Sequence, residues 1–359
     1  MKLPFELDRS VNMSLVEQMF QGLRKAIVRG TYKPGEMLPG IHELAASSGV
    51  SAKVARQALA RLAAIGWCVS RRGARSVVAE RGKERLGRVL FFNSETGYGF
   101  HSSWLVGALR SRLLKADYRL TAISAYDIRK DGSSRLLSES LKEHWDLVIE
   151  FGMRAGARKA IVESGWPFLV LGDGGRCIPS DAENCIGQIE LRNGRALPEF
   201  VRACVKSKVR SVIQFLYDEG GFDASEMLSM PGIASTTVRL SRCRNPFGMC
   251  SGACEAMRDL LKGPDFRMPD VFLFTDDHLA SGGLLALMER GIRVPEDVRV
   301  VTHANRGSGP FWLKPMTRLE MDPVAQGNDV AAAVLDYFRT GRMASGIVLG
   351  SEWKAGKTF

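Results

Sequence analysis

Two groups of side chains in this 359-residue sequence have the types and spacing to do chemistry. The first is basic: Lys53 and Arg56, preceded by His42 and Ser51 and followed by the cluster Arg71, Arg72 and Arg75. Cations gathered this way neutralise phosphates and release their condensed counterions. The second group is acidic, amide and aromatic: Asp127, Asp173, Asp223, Asp276, Asp277, Asn305 and Phe100. Carboxylates and amides fix the directions of hydroxyl hydrogen bonds, and an aromatic face covers the C–H side of a sugar. A third constellation, Gly248-Met249-Cys250-Ser251-Gly252, has the form of a nucleophile elbow. An elbow needs a strand running straight into it, whereas Arg242 to Asn245 intervene and Pro246 fits the first position of a helix. Catalysis is therefore not expected. The five histidines have no metal-ligand spacing, and Gly172-Asp173-Gly174-Gly175 lacks the lysine of a phosphate loop. No cofactor or metal is expected.

Charge sharpens the first group. Residues 1 to 85 hold 15 Lys/Arg against 7 Asp/Glu, a balance of +8 out of the chain's +11. Basicity confined to one quarter of a chain is the electrostatic footprint of a nucleic-acid binder. The length calls for two or three folding units, and the composition, 45% hydrophobic and 25% charged, is that of a globular protein. The seven cysteines form no CxxC pair, no apolar run reaches a membrane span, and MKLPFELDRS lacks a signal's apolar core. A cytoplasmic protein without membrane contact is expected.

The elements that must carry the basic group follow from periodicity. Leu15, Met19, Leu23 and Ile27 form one stripe of a helix that Ser14 caps and Gly30 ends. A short helix is expected over 41–47, and after the Gly49 turn a third begins at Ser51. Its buried face is Val54, Ala58, Leu59, Leu62 and Ile65, with Lys53, Arg56, Gln57 and Arg61 outside. Residues 67–70 and 76–79 read as two strands around the Arg-rich tip, a wing. This is a winged helix-turn-helix. The run Leu23-Arg24-Lys25-Ala26-Ile27, Lys33-Pro34-Gly35, Leu38-Pro39, Glu43-Leu44-Ala45, Gly49-Val50-Ser51 and Ala55-Arg56-Gln57-Ala58-Leu59 resembles the GntR family of winged-helix regulators. The resemblance implies double-stranded operator DNA as partner. It places Lys53 and Arg56 at the major groove with Ser51 and His42 beside them, and Arg71, Arg72 and Arg75 on the backbone or minor groove. His42, Ala52-Lys53-Val54 and Arg75 depart from the family's usual residues, which bears on operator sequence.

The charged run Glu80 to Arg85 separates this domain, 1–80, from the rest, with a linker over 81–87 and a second domain over 88–359. Beyond it, apolar runs near 89–92, 120–124, 147–151 and 168–171, then 211–216, 236–240, 271–274 and 298–302, alternate with helical stretches. That alternation predicts an α/β domain of two lobes with parallel sheets, the chain returning to the first lobe through a helix over 323–339. Pro269 to Gly282, then Gly291 to Val301, resemble the effector domain of the LacI family, itself similar to periplasmic sugar-binding proteins. The fold class is thus α/β, a winged helix-turn-helix head followed by a two-lobe periplasmic-binding-protein-like domain. Ligands of open α/β sheets bind at the carboxyl ends of strands, which is where the acidic and aromatic group falls. For Asp276 or Asp277 a helix N-cap is the alternative role.

The resemblances imply a repressor of carbohydrate genes, acting as a homodimer on a palindrome and released or engaged by a sugar or sugar derivative. Two other readings stay open: a ligand-independent dimeric DNA binder, and an α/β enzyme with a DNA-targeting head.

Overall fold

The computed structural model describes the chain apart from residues 1–2, 11–12, 29, 65, 70–74, 80–86, 94–99, 125–128, 130–132, 153–154, 173–181, 193–194, 219–221, 242 and 244. The head opens with α1 (Leu15–Val28). Ser14 caps it, its Oγ accepting from the Glu17 amide at 3.2 Å. Met19, Leu23 and Ile27 are buried, as spacing by four requires of one helical face. α2 (Ile41–Ser48) ends at Gly49, whose φ of 64° is left-handed and sets the tight turn. α3 (Ala52–Ala64) follows, with Ala55, Ala58, Leu59 and Leu62 buried against α1 and α2. β1 (Cys68–Val69) and β2 (Val77–Val78) pair antiparallel as the two strands of the wing.

The body then alternates strand and helix: β3 (Gly87–Asn93), α4 (Phe100–Leu114), β4 (Tyr118–Ser124), α5 (Arg135–Ser140), β5 (Leu147–Phe151), α6 (Ala155–Ser164), β6 (Phe168–Gly172) and β7 (Cys185–Arg192). Next come α7 (Ala196–Lys206), β8 (Ser211–Tyr217), α8 (Ser225–Ser229), β9 (Ala234–Leu240), α9 (Pro246–Lys262), β10 (Val271–Phe274) and α10 (Asp277–Glu289). β11 (Arg299–Asn305), β12 (Thr317–Met321), α11 (Pro323–Thr340), β13 (Ile347–Gly350) and β14 (Glu352–Lys354) complete the chain. One six-stranded sheet runs β13-β7-β6-β5-β3-β4 and the other β14-β12-β11-β10-β8-β9. The β3–β4, β3–β5 and β5–β6 pairs are parallel, as are the β8–β9, β8–β10, β10–β11 and β11–β12 pairs. Every residue of β5, β6 and β10 is buried, as expected of parallel strands covered on both faces.

The expected strands and helices appear within a few residues, and four further elements join them. β7, α8, β13 and β14 carry no strong apolar period; β14 lies antiparallel at the edge of an otherwise parallel sheet. Short edge strands are fixed by the neighbour they pair with more than by their own composition.

The described chain divides into two compact units, 1–94 with 110–188 and 331–345, and 95–109 with 189–330 and 346–359. The head therefore belongs to the same unit as the first lobe. Residues 81–86 of the expected linker lie outside the described residues, and Gly87 already belongs to β3. Within this unit the Arg24 guanidinium meets the Asp146 carboxylate at 2.6 Å, with the two side chains only 7% and 4% exposed. Arg24 also lies over the rings of Trp67 and Tyr118. Asp146 accepts a second bond, from the Arg88 amide at 2.7 Å. Burial favours its neutral form, but Arg24 and His144 outweigh that and hold its pKa below the ordinary carboxylate value. Phe20 packs edge-on to His144, and the Lys25 ammonium donates to the Arg339 carbonyl at 2.8 Å.

Arg61 corrects the outward placement expected of it. It turns to Glu17 of α1 at 2.6 Å and lies over the rings of Phe20 and Trp166. The apolar period of α3 leaves Arg61 at the flank of the buried face, where a long side chain reaches a carboxylate and two aromatic faces at once.

Candidate nucleic-acid interface and effector site

In α3 the burial of Ala55, Ala58, Leu59 and Leu62 forces Lys53, Arg56 and Gln57 to the exposed side. Ser51 is exposed and faces the first turn of α3, its Oγ 3.4 Å from the Val54 amide. His42 is exposed on α2. Glu43, one residue on, accepts from the Gly40 amide at 3.0 Å and pairs with Arg75 at the base of the wing. Arg75 thus ties wing to α2 while remaining half exposed. Arg71 and Arg72 lie outside the described residues. The arrangement is a helix with a polar, cationic, unobstructed face, the form that reads base edges in a major groove.

In the second unit the candidates gather at the carboxyl ends of β8, β10 and β11. Asp276 follows β10 and is the N-cap of α10, accepting from the His278 amide at 2.8 Å. The Tyr217 hydroxyl, at the end of β8, donates to the same carboxylate at 3.3 Å. The His278 ring meets both Asp276 and Asp277 at 3.0 Å. Hydrogen bonds to Asp276 and then Asp277 overcome partial burial and push the imidazole pKa up to about 10, so His278 is a cation at neutral pH. Burial works to raise the Asp276 pKa, but His278, assisted by His303, lowers it overall. Among the described residues, Asp276, Asp277 and His278 bring one ligand atom each within 4.8 Å of one another. With one ring held as a cation between two carboxylates, the trio keeps a net charge of −1.

Asp277 is buried and accepts from the Ser308 hydroxyl at 3.1 Å, while Arg318 donates to the Ser308 carbonyl at 3.2 Å. Asn305 closes β11 with its Oδ1 buried and without a hydrogen-bond partner. A buried acceptor left open costs about 1–3 kcal/mol. Asp223 stands apart in its bonding: Gln214 donates to it at 2.6 Å, the Ser225 amide at 2.9 Å, and Arg239 pairs with it at 2.9 Å. Burial raises its pKa, but the Ser225 and Gln214 bonds lower it further.

Residues 15–78 match the family described as bacterial regulatory proteins, gntR family, and residues 219–358 match a periplasmic binding protein-like domain. The chain joins a GntR-type head to a periplasmic-binding-protein-like body. The HTH-type transcriptional regulator Mce2R of Mycobacterium tuberculosis (strain CDC 1551 / Oshkosh) is 34% identical over 102 residues, 27% of this chain and 42% of that protein. An uncharacterized HTH-type transcriptional regulator of Mycobacterium bovis is similar to the same extent. The match thus spans under half the length of these curated relatives. Among solved structures, a LacI family transcriptional regulator from Bifidobacterium animalis subsp. lactis superposes with a TM-score of 0.59 at 17% identity, covering 76% of this chain and 97% of that one. The transcriptional regulator CelR in complex with cellobiose gives 0.61 at 16%, covering 90% and 100%. At such identities the likeness is one of fold.

For the GntR-type head, the structure brings His42 on α2, Ser51 in the turn and Lys53 and Arg56 on α3 to exposed positions. For the body, it joins Asp276 and Asp277 in one network. Asp223 is bound into a separate one with Gln214, Ser225 and Arg239. Phe100 opens α4, but its side chain, like Asp127 and Asp173, lies outside the described residues. The N-cap alternative for Asp276 holds, and the same carboxylate also receives Tyr217. Sequence reasoning missed Tyr217, His278, Ser308 and Arg318 as members of the cluster. His278 was legible as the neighbour of two aspartates, and Tyr217 as the last residue of a strand. Ser308 and Arg318 are joined to the site only by the fold. Cys250 sits within α9, whose first residue is Pro246 as the sequence predicts, with Asn245 as its N-cap. No helix among the described residues is long and apolar enough to cross a membrane.

Proposed function

We propose that the protein is a DNA-binding transcriptional regulator, a cytoplasmic homodimeric repressor of carbohydrate-utilisation genes controlled by a sugar-like effector. The observation that carries this reading is the exposed cationic face of α3 on a GntR-type head joined to a periplasmic-binding-protein-like body. Lys53 and Arg56 contact base edges or phosphates, with Ser51 and His42 beside them and Arg71, Arg72 and Arg75 on the flanking backbone. Two heads on a palindrome double these contacts and their specificity.

The effector is bound at the carboxyl ends of the body's strands. Asp276, Asp277, Asp223 and Asn305 of the second unit supply hydrogen-bonding groups. A neutral, hydroxyl-rich ligand suits a set that keeps one negative charge in excess, His278 facing two carboxylates while Arg239 engages Asp223, and in which the open group at Asn305 is an acceptor. For such a ligand to control transcription it must bind one arrangement of the two heads better than another.

A thermal-shift screen of the purified chain against neutral mono- and disaccharides and sugar acids tests the reading, each hit being retested for its effect on binding to the protein's own promoter DNA. A ligand at one hundred times its Kd stabilises by about 2.7 kcal/mol, a readily measured rise in melting temperature. A hit that changes DNA affinity supports the sensor. DNA binding that ignores every stabilising sugar favours a ligand-independent regulator.

A further inference from the structure

Within the first unit, a cavity of about 350 Å³ lies in the seam between head and lobe. The head contributes Met13, Ser14 and Glu17 around the start of α1, and Arg61 from α3. The lobe contributes Val162, Pro167 and Ile186, with Tyr337 of α11. The volume is at the low end of the roughly 300–1,000 Å³ of small-molecule pockets, and far above the roughly 30 Å³ that one water takes in the liquid.

Its chemistry is uneven. The Tyr337 side chain is only 3% exposed, and its hydroxyl has no hydrogen-bond partner. Burial, then Glu17, push its pKa upward, so it stays a neutral donor. Ser14 Oγ accepts from the Glu17 amide, which leaves its proton available. The charges are already engaged: one Glu17 oxygen takes Arg61 at 2.6 Å and the other takes the Gln21 amide at 2.8 Å. The remaining ionisable group on the wall is Glu183, an exposed acid. Anions are therefore disfavoured, and what the cavity lacks is acceptor oxygens carried on a partly apolar frame that can lie on Val162, Pro167 and Ile186.

We propose that this seam is a second small-molecule site, taking a neutral hydroxylated molecule of monosaccharide size whose binding holds the GntR-type head docked on the first lobe. An occupant touching both walls binds the docked arrangement and not the parted one, so it shifts the head toward docking by its own binding free energy. Arg61, on the helix proposed to read DNA, forms part of the wall, which places the ligand one helical side away from the DNA-facing residues.

The test uses the full chain and ligand-observed saturation-transfer NMR with free neutral pentoses, hexoses and cyclitols, each alone. At least one is expected to bind the parent protein. Val162→Trp, which fills the cavity, should weaken that ligand at least tenfold, and Tyr337→Phe, which keeps the shape and removes the donor, by roughly three- to tenfold. Asn305→Ala, which alters the proposed effector site in the other unit, should leave it unchanged. The bound ligand should also slow amide exchange in α1. Should no sugar bind, or should every bound sugar keep its affinity in both Val162→Trp and Tyr337→Phe, the seam is a hydrated cavity and the proposal is overturned. Loss in Asn305→Ala alone supports the strand-end site and refutes the seam, so the two readings fail separately.

Discussion

Replacing Asp146 with asparagine removes the charge that Arg24 faces across the head–lobe seam while preserving side-chain size. Breaking a buried pair by neutralising one partner costs about 3–5 kcal/mol, because the other charge stays buried and uncompensated. Two features of the structure lower that figure. Arg24 keeps a weak bond to Gln21 at 3.4 Å and the faces of Trp67 and Tyr118, with ring centres 5.9 and 5.3 Å away, and the asparagine oxygen can still accept from Arg88. About 3 kcal/mol is therefore expected. The chain has two compact units, so a single global unfolding energy is ill defined. The suitable assay is native-state amide exchange over α1, where about 3 kcal/mol raises opening by roughly two orders of magnitude, since each 1.4 kcal/mol is tenfold. A cycle with Arg24→Met isolates the pair, and the double variant should recover about 2 kcal/mol of the summed single losses. Because the Asp146 pKa is lowered on folding, this contribution is present above the ordinary carboxylate value and fades as pH falls through the depressed one. A coupling energy under about 0.5 kcal/mol, or α1 exchange unchanged in Asp146→Asn, would refute the claim that this pair docks the head.

Three further outcomes are expected. Arg56→Ala should weaken specific operator binding by about 1–3 kcal/mol with the fold intact, measured by fluorescence anisotropy; equal affinity removes Arg56 from the interface. His278, whose pKa rises to about 10, stabilises the second unit fully below its unfolded value near 6.5, and that stability is lost as pH climbs toward 10. A urea midpoint that stays flat between pH 7 and 10, or that falls equally in His278→Gln, contradicts the assignment. Gly282→Ala places a Cβ 2.0 Å from the Cys250 carbonyl and 2.8 Å from the Cys254 amide, so α9 and α10 must separate. A loss of about 1–3 kcal/mol is expected in native-state amide exchange over α9 and α10, and a neutral substitution would mean that the two helices slide without cost.

Features written locally in the residues were legible before any fold was known. The four-residue stripe of α1 with its Ser14 cap, the Gly49 turn, the exposed Lys53 and Arg56, Pro246 at the start of α9 and the buried parallel strands all follow from periodicity, cap chemistry and side-chain burial. These terms act within a few residues and repeat, so they survive without knowledge of the fold. Tertiary structure decided the partners. Arg24 and Asp146 are 122 positions apart, and nothing in either neighbourhood specifies the other. Arg61 has the look of a surface cation until Glu17 and Trp166 arrive on one side of it, and Asp223 finds Arg239 only because β8 and β9 are neighbours. The edge strands β13 and β14 likewise become strands by pairing. An apolar period tells which face turns inward, whereas a charge, a short edge strand or an open hydroxyl such as that of Tyr337 takes its role from groups that the completed fold brings within a few ångströms.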